Sequence, residues 1–207
     1  MDIVSAVFLV VIIIFSAIIH EVMHGYAADK LGDPTARYAG RLTLNPIPHI
    51  DPIGSILLPL VLVLSGSPIF FGWAKPVPYN PYNLRPGRFS EAIVAGAGPA
   101  SNAVIAIVFG IIVRLGVFAT LSDFFFLIVV VNVMLCIFNL IPIPPLDGSK
   151  VLEALLPRSW QYGYNRWRHS MERNPFVGTL LVIIIVLLLG GVFSNLIYDV
   201  ASAIAGA

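Results

Sequence analysis

Long apolar runs alternate along this chain with short polar connections rich in proline and glycine. A helix of roughly 17–25 apolar residues is long enough to cross the hydrocarbon core of a bilayer. Five runs reach that length, namely 3–26, Ile53–Trp73, Ser90–Phe118, Phe124–Leu140 and Phe176–Ile204. The pattern predicts an all-α polytopic membrane protein with about four full transmembrane helices.

The remaining stretches predict smaller elements. Glycines and prolines interrupt Ile53–Trp73, which makes it a poor candidate for a regular span. Loose alternation of polar and apolar residues over 37–44 predicts a short membrane-associated β-hairpin. Ser90 and Glu91 resemble a helix start, with serine as the N-cap. A short helix is expected at Gly148–Leu156, followed by a polar, basic connection at 157–175.

Composition supports the membrane assignment. The chain is 58% hydrophobic and only 11% charged, against roughly 25% charged for a soluble domain. Its net charge of +1 gives no electrostatic case for a nucleic-acid partner. The one cysteine, Cys136, can form no intrachain disulfide. The first apolar run has no basic residue before it, so we interpret it as a retained span rather than a signal peptide, and 1–207 as one membrane-embedded domain.

Candidate chemistry lies at the end of the first apolar run, in the sequence HEVMH at 20–24. Histidines four apart lie one turn apart on the same helix face, so His20 and His24 can reach one metal ion. Glu21 can then reach a water that the metal activates. This is the HExxH pattern of zinc hydrolases. The alternative is a pair of interfacial histidines that extend to the lipid headgroups. Ionisable side chains at the end of an apolar helix are costly, which favours the functional interpretation.

Catalytic zinc usually has three protein ligands, so a third must come from elsewhere. The candidates are His49, His169 and the acidic residues at the membrane edge, of which Asp147 is the strongest. It follows the sequence NLIPIPPL, where three prolines break a helix at membrane depth, and such backbone is tolerated only inside protein or beside a water-filled cavity. The alternative for Asp147 is an ordinary N-cap of the next helix.

These motifs resemble those of the site-2 protease family of intramembrane zinc metalloproteases. The resemblance rests on HEVMHG and NLIPIPPLDG, with GRLTLNP, HIDPIG, FGWAKPVP and AGPASN, and covers most of residues 12–152. It is closest to the compact prokaryotic branch that lacks PDZ and CBS domains. The resemblance implies one Zn²⁺ held by His20, His24 and Asp147, Glu21 as general base, and a transition-state or substrate contact at Asn139. On residues alone, Asn139 could equally cap the broken backbone. The implied substrate is a transmembrane helix of another membrane protein.

The ligands also constrain the topology. His20 and Asp147 each follow the exit end of a span, so those two ends must lie on one side of the bilayer. They do so only if Ile53–Trp73 is a re-entrant segment rather than a full crossing. The basic connections then lie in the cytoplasm, as the positive-inside rule expects. We therefore expect both termini outside a prokaryotic cell membrane and an active site within the bilayer, towards the cytoplasmic side.

Two other functions are compatible with parts of this pattern. A metal transporter would carry polar groups along several helices, whereas here the helix centres hold only Asn102 and Asn132. A catalytically inactive zinc-binding membrane scaffold would not need Glu21, and Glu21 is present.

Overall fold

The computed structural model of this chain describes residues 3–57, 61, 64 and 74–206. Within these residues the secondary structure is helical and contains no strand. The α-helices are α1 (Ile3–Lys30), α2 (Thr35–Tyr38), α3 (Ser90–Arg114), α4 (Ser122–Asn139), α5 (Asp147–Leu155), α6 (Arg158–Arg173) and α7 (Pro175–Ala205).

Among the described residues, four helical stretches are long and apolar enough to cross a membrane, which confirms the prediction of an all-α protein with four such helices. They are Ile3–Lys30, Ser90–Arg114, Ala119–Asn139 and Phe176–Ala205. Large apolar side chains remain exposed along them, for example Leu187 and Leu188 on α7, as expected of surfaces that face lipid.

Helix α3 is the centre of the bundle and packs against α1, α4, α5 and α7. A core of small and β-branched residues joins three of these helices: Ala106 on α3, Val129 and Val133 on α4, and Ala201 on α7. Close approach depends on small residues, since a Cβ added at Gly110 would lie 2.4 Å from Ile204 Cγ2.

The basic connection after α5 folds as helix α6 rather than as an irregular loop. Its Arg168 is buried and forms ion pairs with Glu153 on α5 (2.6 Å), Glu172 on α6 (2.8 Å) and Glu91 on α3 (3.3 Å). One guanidinium therefore links three helices at the end of the bundle where α3 begins.

The prediction of a β-hairpin at 37–44 is wrong. Its first residues belong to the short helix α2, which ends at Tyr38 and is followed by Gly40 with a φ of +65°. The residues from 41 to 46 form bends without a partner strand. A strand would place successive side chains on opposite faces. Here the buried side chain of Arg41 instead turns inward and donates to the carbonyl of Lys75 (2.7 Å).

Two further predictions concern the N-cap of α3 and the segment Ile53–Trp73. Ser90 is not the N-cap of α3, because that position is Phe89 and the Ser90 hydroxyl donates to the Arg85 carbonyl (2.7 Å). The predicted re-entrant segment, Ile53–Trp73, lies largely outside the described residues. Of its first part, Pro52–Leu57 forms a single π-helical turn.

Candidate metal centre

The last turns of α1 present His20, Glu21 and His24 to the interior of the bundle. Both histidines are buried, at 6% and 9% exposure, and their rings lie nearly perpendicular with centroids 4.7 Å apart. The two rings therefore point to one region between α1 and α3, as the spacing in the sequence predicts.

The first turn of α5 adds Asp147 to the same region. Its Oδ2 lies 3.1 Å from His20 Nε2 and 3.2 Å from His24 Nε2. Gly148 makes this approach possible, because a Cβ at that position would lie 2.2 Å from the Leu140 carbonyl oxygen. The N-cap of α5 is Leu146 and no side chain caps the helix, so Asp147 faces the histidines instead of capping.

The three groups fit a zinc ion. At typical zinc–ligand distances of about 2.0–2.1 Å, a tetrahedral site places its ligand atoms roughly 3.3 Å apart, close to the two separations found here. Ligand atoms of His20, His24 and Asp147 all lie within 4.8 Å of one another. Two imidazoles with one carboxylate are a donor set that catalytic zinc commonly has.

The second nitrogen of each ring is also held. His24 Nδ1 lies 2.7 Å from the Val94 carbonyl oxygen, and His20 Nδ1 lies 2.6 Å from Asn102 Oδ1. Both partners are acceptors, so each Nδ1 carries a hydrogen, and in the neutral form of each ring the lone pair that can bind a metal lies on Nε2. Metal-binding histidines are normally oriented in this way.

Helix α3 leaves room for the ligand atoms at Gly98. A Cβ at this position would lie 2.5 Å from His24 Nε2 and 2.6 Å from His20 Nε2. A side chain there would occupy the space towards which the two nitrogens point. The glycine at position 98 therefore keeps this space open.

Local electrostatics favour an anionic carboxylate at Asp147. Burial alone would raise its pKa, but hydrogen bonds and favourable charge interactions with His20 and His24 outweigh burial and hold the pKa well below the usual range of a carboxyl. An ionised oxygen is the form in which aspartate binds a metal.

Glu21 is held by a backbone hydrogen bond from outside the three candidate ligands. Its Oε2 accepts a hydrogen bond of 2.8 Å from the backbone N–H of Val77, in the extended segment that precedes α3. This contact fixes the position of one carboxylate oxygen of Glu21. Val77 was not singled out from the sequence, because nothing in its apolar side chain marks the role of its N–H.

The remaining candidates lie elsewhere. Asn139 donates from Nδ2 to the Leu135 carbonyl one turn earlier (2.9 Å), so its amide N–H is engaged by its own helix. His49 is buried, with Nε2 2.9 Å from the Thr43 carbonyl oxygen, and belongs to the contact between the loop after α2 and Lys75. His169 is exposed on α6 and bonds to the Asn165 carbonyl.

Comparisons with known proteins identify related zinc metalloproteases. A family model described as "Peptidase family M50" matches residues 115–190, a stretch that contains Asn139 and Asp147 but not His20 and His24. The chain is 41% identical to "Putative zinc metalloprotease YwhC" of Bacillus subtilis (strain 168) over 160 residues, which is 72% of this chain and 69% of that protein.

Two mycobacterial proteins are more distant relatives. "Putative zinc metalloprotease Rip2" of Mycolicibacterium smegmatis is 32% identical over 69% of this chain, and its Mycobacterium tuberculosis H37Rv counterpart is 29% identical over 73%. The chain spans 55% and 59% of their lengths. No solved structure matches the chain. The chain belongs to peptidase family M50, the site-2 protease family of zinc metalloproteases.

Proposed function

We propose that this metalloprotease hydrolyses peptide bonds within or near the transmembrane helices of other membrane proteins. In this proposal His20, His24 and Asp147 hold one zinc ion, Glu21 is the general base, and 1–207 acts as one membrane-embedded domain. The observation that carries the proposal is the convergence of His20 Nε2 and His24 Nε2 on Asp147 Oδ2, at 3.1 and 3.2 Å, inside a bundle of apolar helices.

Zinc bound there would polarise the scissile carbonyl and lower the pKa of a water molecule towards about 7. Glu21 follows one ligand directly and would take a proton from the attacking water on a carboxylate oxygen. It would then deliver that proton to the nitrogen of the leaving amine. The N–H of Val77 orients the carboxylate for this transfer by holding its Oε2.

A transmembrane helix hides its own peptide bonds in backbone hydrogen bonds, so the substrate must unwind locally before it is cut. Asn139 remains our candidate for a contact to the substrate or to the developing oxyanion. Because its amide N–H donates to the Leu135 carbonyl here, that role requires the side chain to turn when substrate binds.

We also propose that the site lies towards the cytoplasmic side of a prokaryotic cell membrane. The ends of α1 and α4, with α5 and α6 after them, lie at the same end of the bundle as the start of α3. Basic residues concentrate there, among them Arg88, Arg158 and Arg166, which supports a cytoplasmic assignment.

The variant Glu21→Gln tests the proposal. Glutamine keeps the size of the side chain and its ability to accept from Val77 N–H, but it removes the base. General base catalysis typically contributes 10²- to 10⁴-fold. We expect Glu21→Gln to retain stoichiometric zinc and a wild-type melting temperature, while cleavage of a model transmembrane peptide in liposomes falls by at least roughly 100-fold.

The matched variants are His20→Ala, His24→Ala and Asp147→Ala, each of which should lose zinc together with activity. Near wild-type cleavage by Glu21→Gln would contradict its role as the base. Full zinc retention by any of the three alanine variants would remove that residue from the metal site.

A further inference from the structure

We propose that Asn132 and Asn102 are positioning residues for the metal centre. They form a hydrogen-bond relay that begins at the Ile128 carbonyl and fixes His20 so that Nε2 is the ring nitrogen that faces Asp147 and can bind the metal. The inference rests on the proposed role of His20 as a zinc ligand, and it assigns a function to the two asparagines that the catalytic proposal does not use.

Both asparagines are fully buried in the middle of membrane-spanning helices. Asn102 on α3 and Asn132 on α4 each have 0% exposure, and Ser16 on α1 beside them has 5%. An amide buried in apolar surroundings is costly unless hydrogen-bonded. Two such amides in contact across three helices therefore call for a function that offsets this cost.

The direction of the relay follows from its first acceptor. The Ile128 carbonyl can only accept, so the atom 2.9 Å from it must be the amide nitrogen of Asn132. The same nitrogen donates to Ser16 Oγ (3.0 Å). The Oδ1 of Asn132 therefore faces α3, where it accepts from Asn102 Nδ2 at 2.9 Å.

The orientation of Asn102 then determines the state of His20. With its nitrogen directed at Asn132 and at the Ser16 carbonyl (3.4 Å), Asn102 presents Oδ1 to His20 Nδ1 at 2.6 Å. Because Oδ1 only accepts, His20 must carry its hydrogen on Nδ1. Rotating both amides would place Asn132 Oδ1 against the Ile128 carbonyl, two acceptors in contact, so the relay has a single self-consistent direction.

The two histidines are thus supported differently. His24 donates to a backbone carbonyl, that of Val94, which does not depend on any side chain. His20 depends on Asn102, and Asn102 depends on Asn132. A substitution at Asn102 or Asn132 should therefore change zinc affinity only through its effect on His20.

The test is zinc affinity of the purified full-length chain, measured by chelator competition, with the visible absorption of the Co²⁺-substituted protein as a second readout. Loss of an outer partner of a metal-binding histidine typically weakens metal binding by 10- to 100-fold. We expect a loss of that size for Asn102→Leu, a smaller loss in the same direction for Asn132→Ala, and a change in the Co²⁺ spectrum for both.

The matched control is Asn195→Leu, the same chemical change at an exposed position of α7, which should leave zinc affinity unchanged. A coupling measurement separates positioning from general destabilisation. In a His20→Ala background, Asn102→Leu should cause no further loss of residual metal affinity, whereas a purely structural role would lower it in both backgrounds.

Wild-type zinc affinity and an unchanged Co²⁺ spectrum in folded Asn102→Leu would overturn the relay. If Asn102→Leu does not fold, Asn132→Ala tests the relay in the same way, because it removes the amide that orients Asn102 without adding volume. If His20→Ala itself leaves zinc affinity unchanged, the assignment of His20 as a ligand fails. Loss of zinc in His20→Ala with none in the relay variants refutes the relay alone.

Discussion

At the scale of single residues, the metal site depends as much on an absent side chain as on the groups that converge there. Gly98 lies on α3 opposite the two imidazoles, and both Nε2 atoms lie within 2.6 Å of the position that its Cβ would occupy. The rings have little freedom to withdraw, because each Nδ1 is held within 2.7 Å of its acceptor. A methyl group at position 98 must therefore displace the Nε2 atoms of His20 and His24.

We predict that Gly98→Ala weakens zinc binding by at least roughly 10-fold while the helix remains intact, since alanine favours a helix over glycine by about 1 kcal/mol. Zinc content after dialysis against a weak chelator measures the effect. The matched control is Gly96→Ala on the same helix, where the nearest atom to an added Cβ is Val151 Cγ2 at 4.0 Å. Equal zinc content in the two variants would show that position 98 tolerates a side chain.

The sequence predicts part of this site and omits the rest for a physical reason. His20 and His24 are found because their spacing on one helix is a local property, and Asp147 because three prolines mark a broken helix before it. The geometry brings these three together as expected. Gly98, Asn102 and the N–H of Val77 act through contacts between helices, which a single sequence does not encode locally. The polarity of Asn102 and Asn132 was visible as a signal, but their partners were not.

At the scale of elements, the connection after α1 is organised around a buried carboxylate. Asp33 is fully buried and accepts from the Thr35 backbone N–H (3.2 Å), the Asn80 backbone N–H (2.6 Å) and Asn83 Nδ2 (2.9 Å). It thereby ties the turn before α2 to the segment before α3. Burial alone would raise the pKa of Asp33, but these hydrogen bonds outweigh burial and hold the pKa below its ordinary value.

We predict that Asp33→Asn lowers stability at pH 7 by about 2 kcal/mol, because charge-assisted hydrogen bonds are lost and an amide N–H faces other donors. A carboxyl with a lowered folded-state pKa stabilises the fold above its unfolded pKa of about 3.9, and that contribution disappears as the pH falls through the folded-state value. The difference between wild type and variant should therefore shrink below about pH 4.

Thermal unfolding in detergent across this pH range measures the effect. The control is Asp123→Asn, at an exposed position near the start of α4, which should differ little from wild type at any pH. A constant difference between wild type and Asp33→Asn from pH 7 to pH 3.5 would contradict the role of the ionised carboxylate.

The elements that depend on the length of an apolar run were predicted correctly. Those that depend on a contact with a distant part of the chain were not. The four spans follow from runs of about 20 apolar residues, and their ends differ from expectation by a few residues, for example α1 ending at Lys30. The alternation over 37–44 suggested a strand, but Arg41 instead reaches the Lys75 carbonyl across the chain. Ser90 offered a cap, yet its hydroxyl bonds to Arg85.

At the scale of the whole molecule, the two segments that flank Ile53–Trp73 lie against each other. The backbone N–H of Lys75 donates to the His49 carbonyl (2.9 Å), and Arg41 donates to the Lys75 carbonyl (2.7 Å). These hydrogen bonds join the chain before this apolar segment to the chain directly after it. Flanks in contact must lie at the same level of the bilayer, as the sequence-based prediction of a segment that enters and leaves on one face requires.

Single cysteines in a Cys136→Ala background test this topology. Ile47 and Tyr82 are 71% and 96% exposed and lie on the two flanks, whereas Leu115, 69% exposed, follows the far end of α3. We predict that Ile47→Cys and Tyr82→Cys react with an impermeant maleimide only in inverted membrane vesicles, and that Leu115→Cys reacts only in right-side-out vesicles. Since α3 crosses once between Tyr82 and Leu115, the third cysteine reports the opposite face independently.

Labelling of Ile47→Cys and Tyr82→Cys from opposite faces would mean that Ile53–Trp73 crosses the bilayer. The ends of α1 and α4 would then lie on different sides, and His20, His24 and Asp147 could not share one zinc ion.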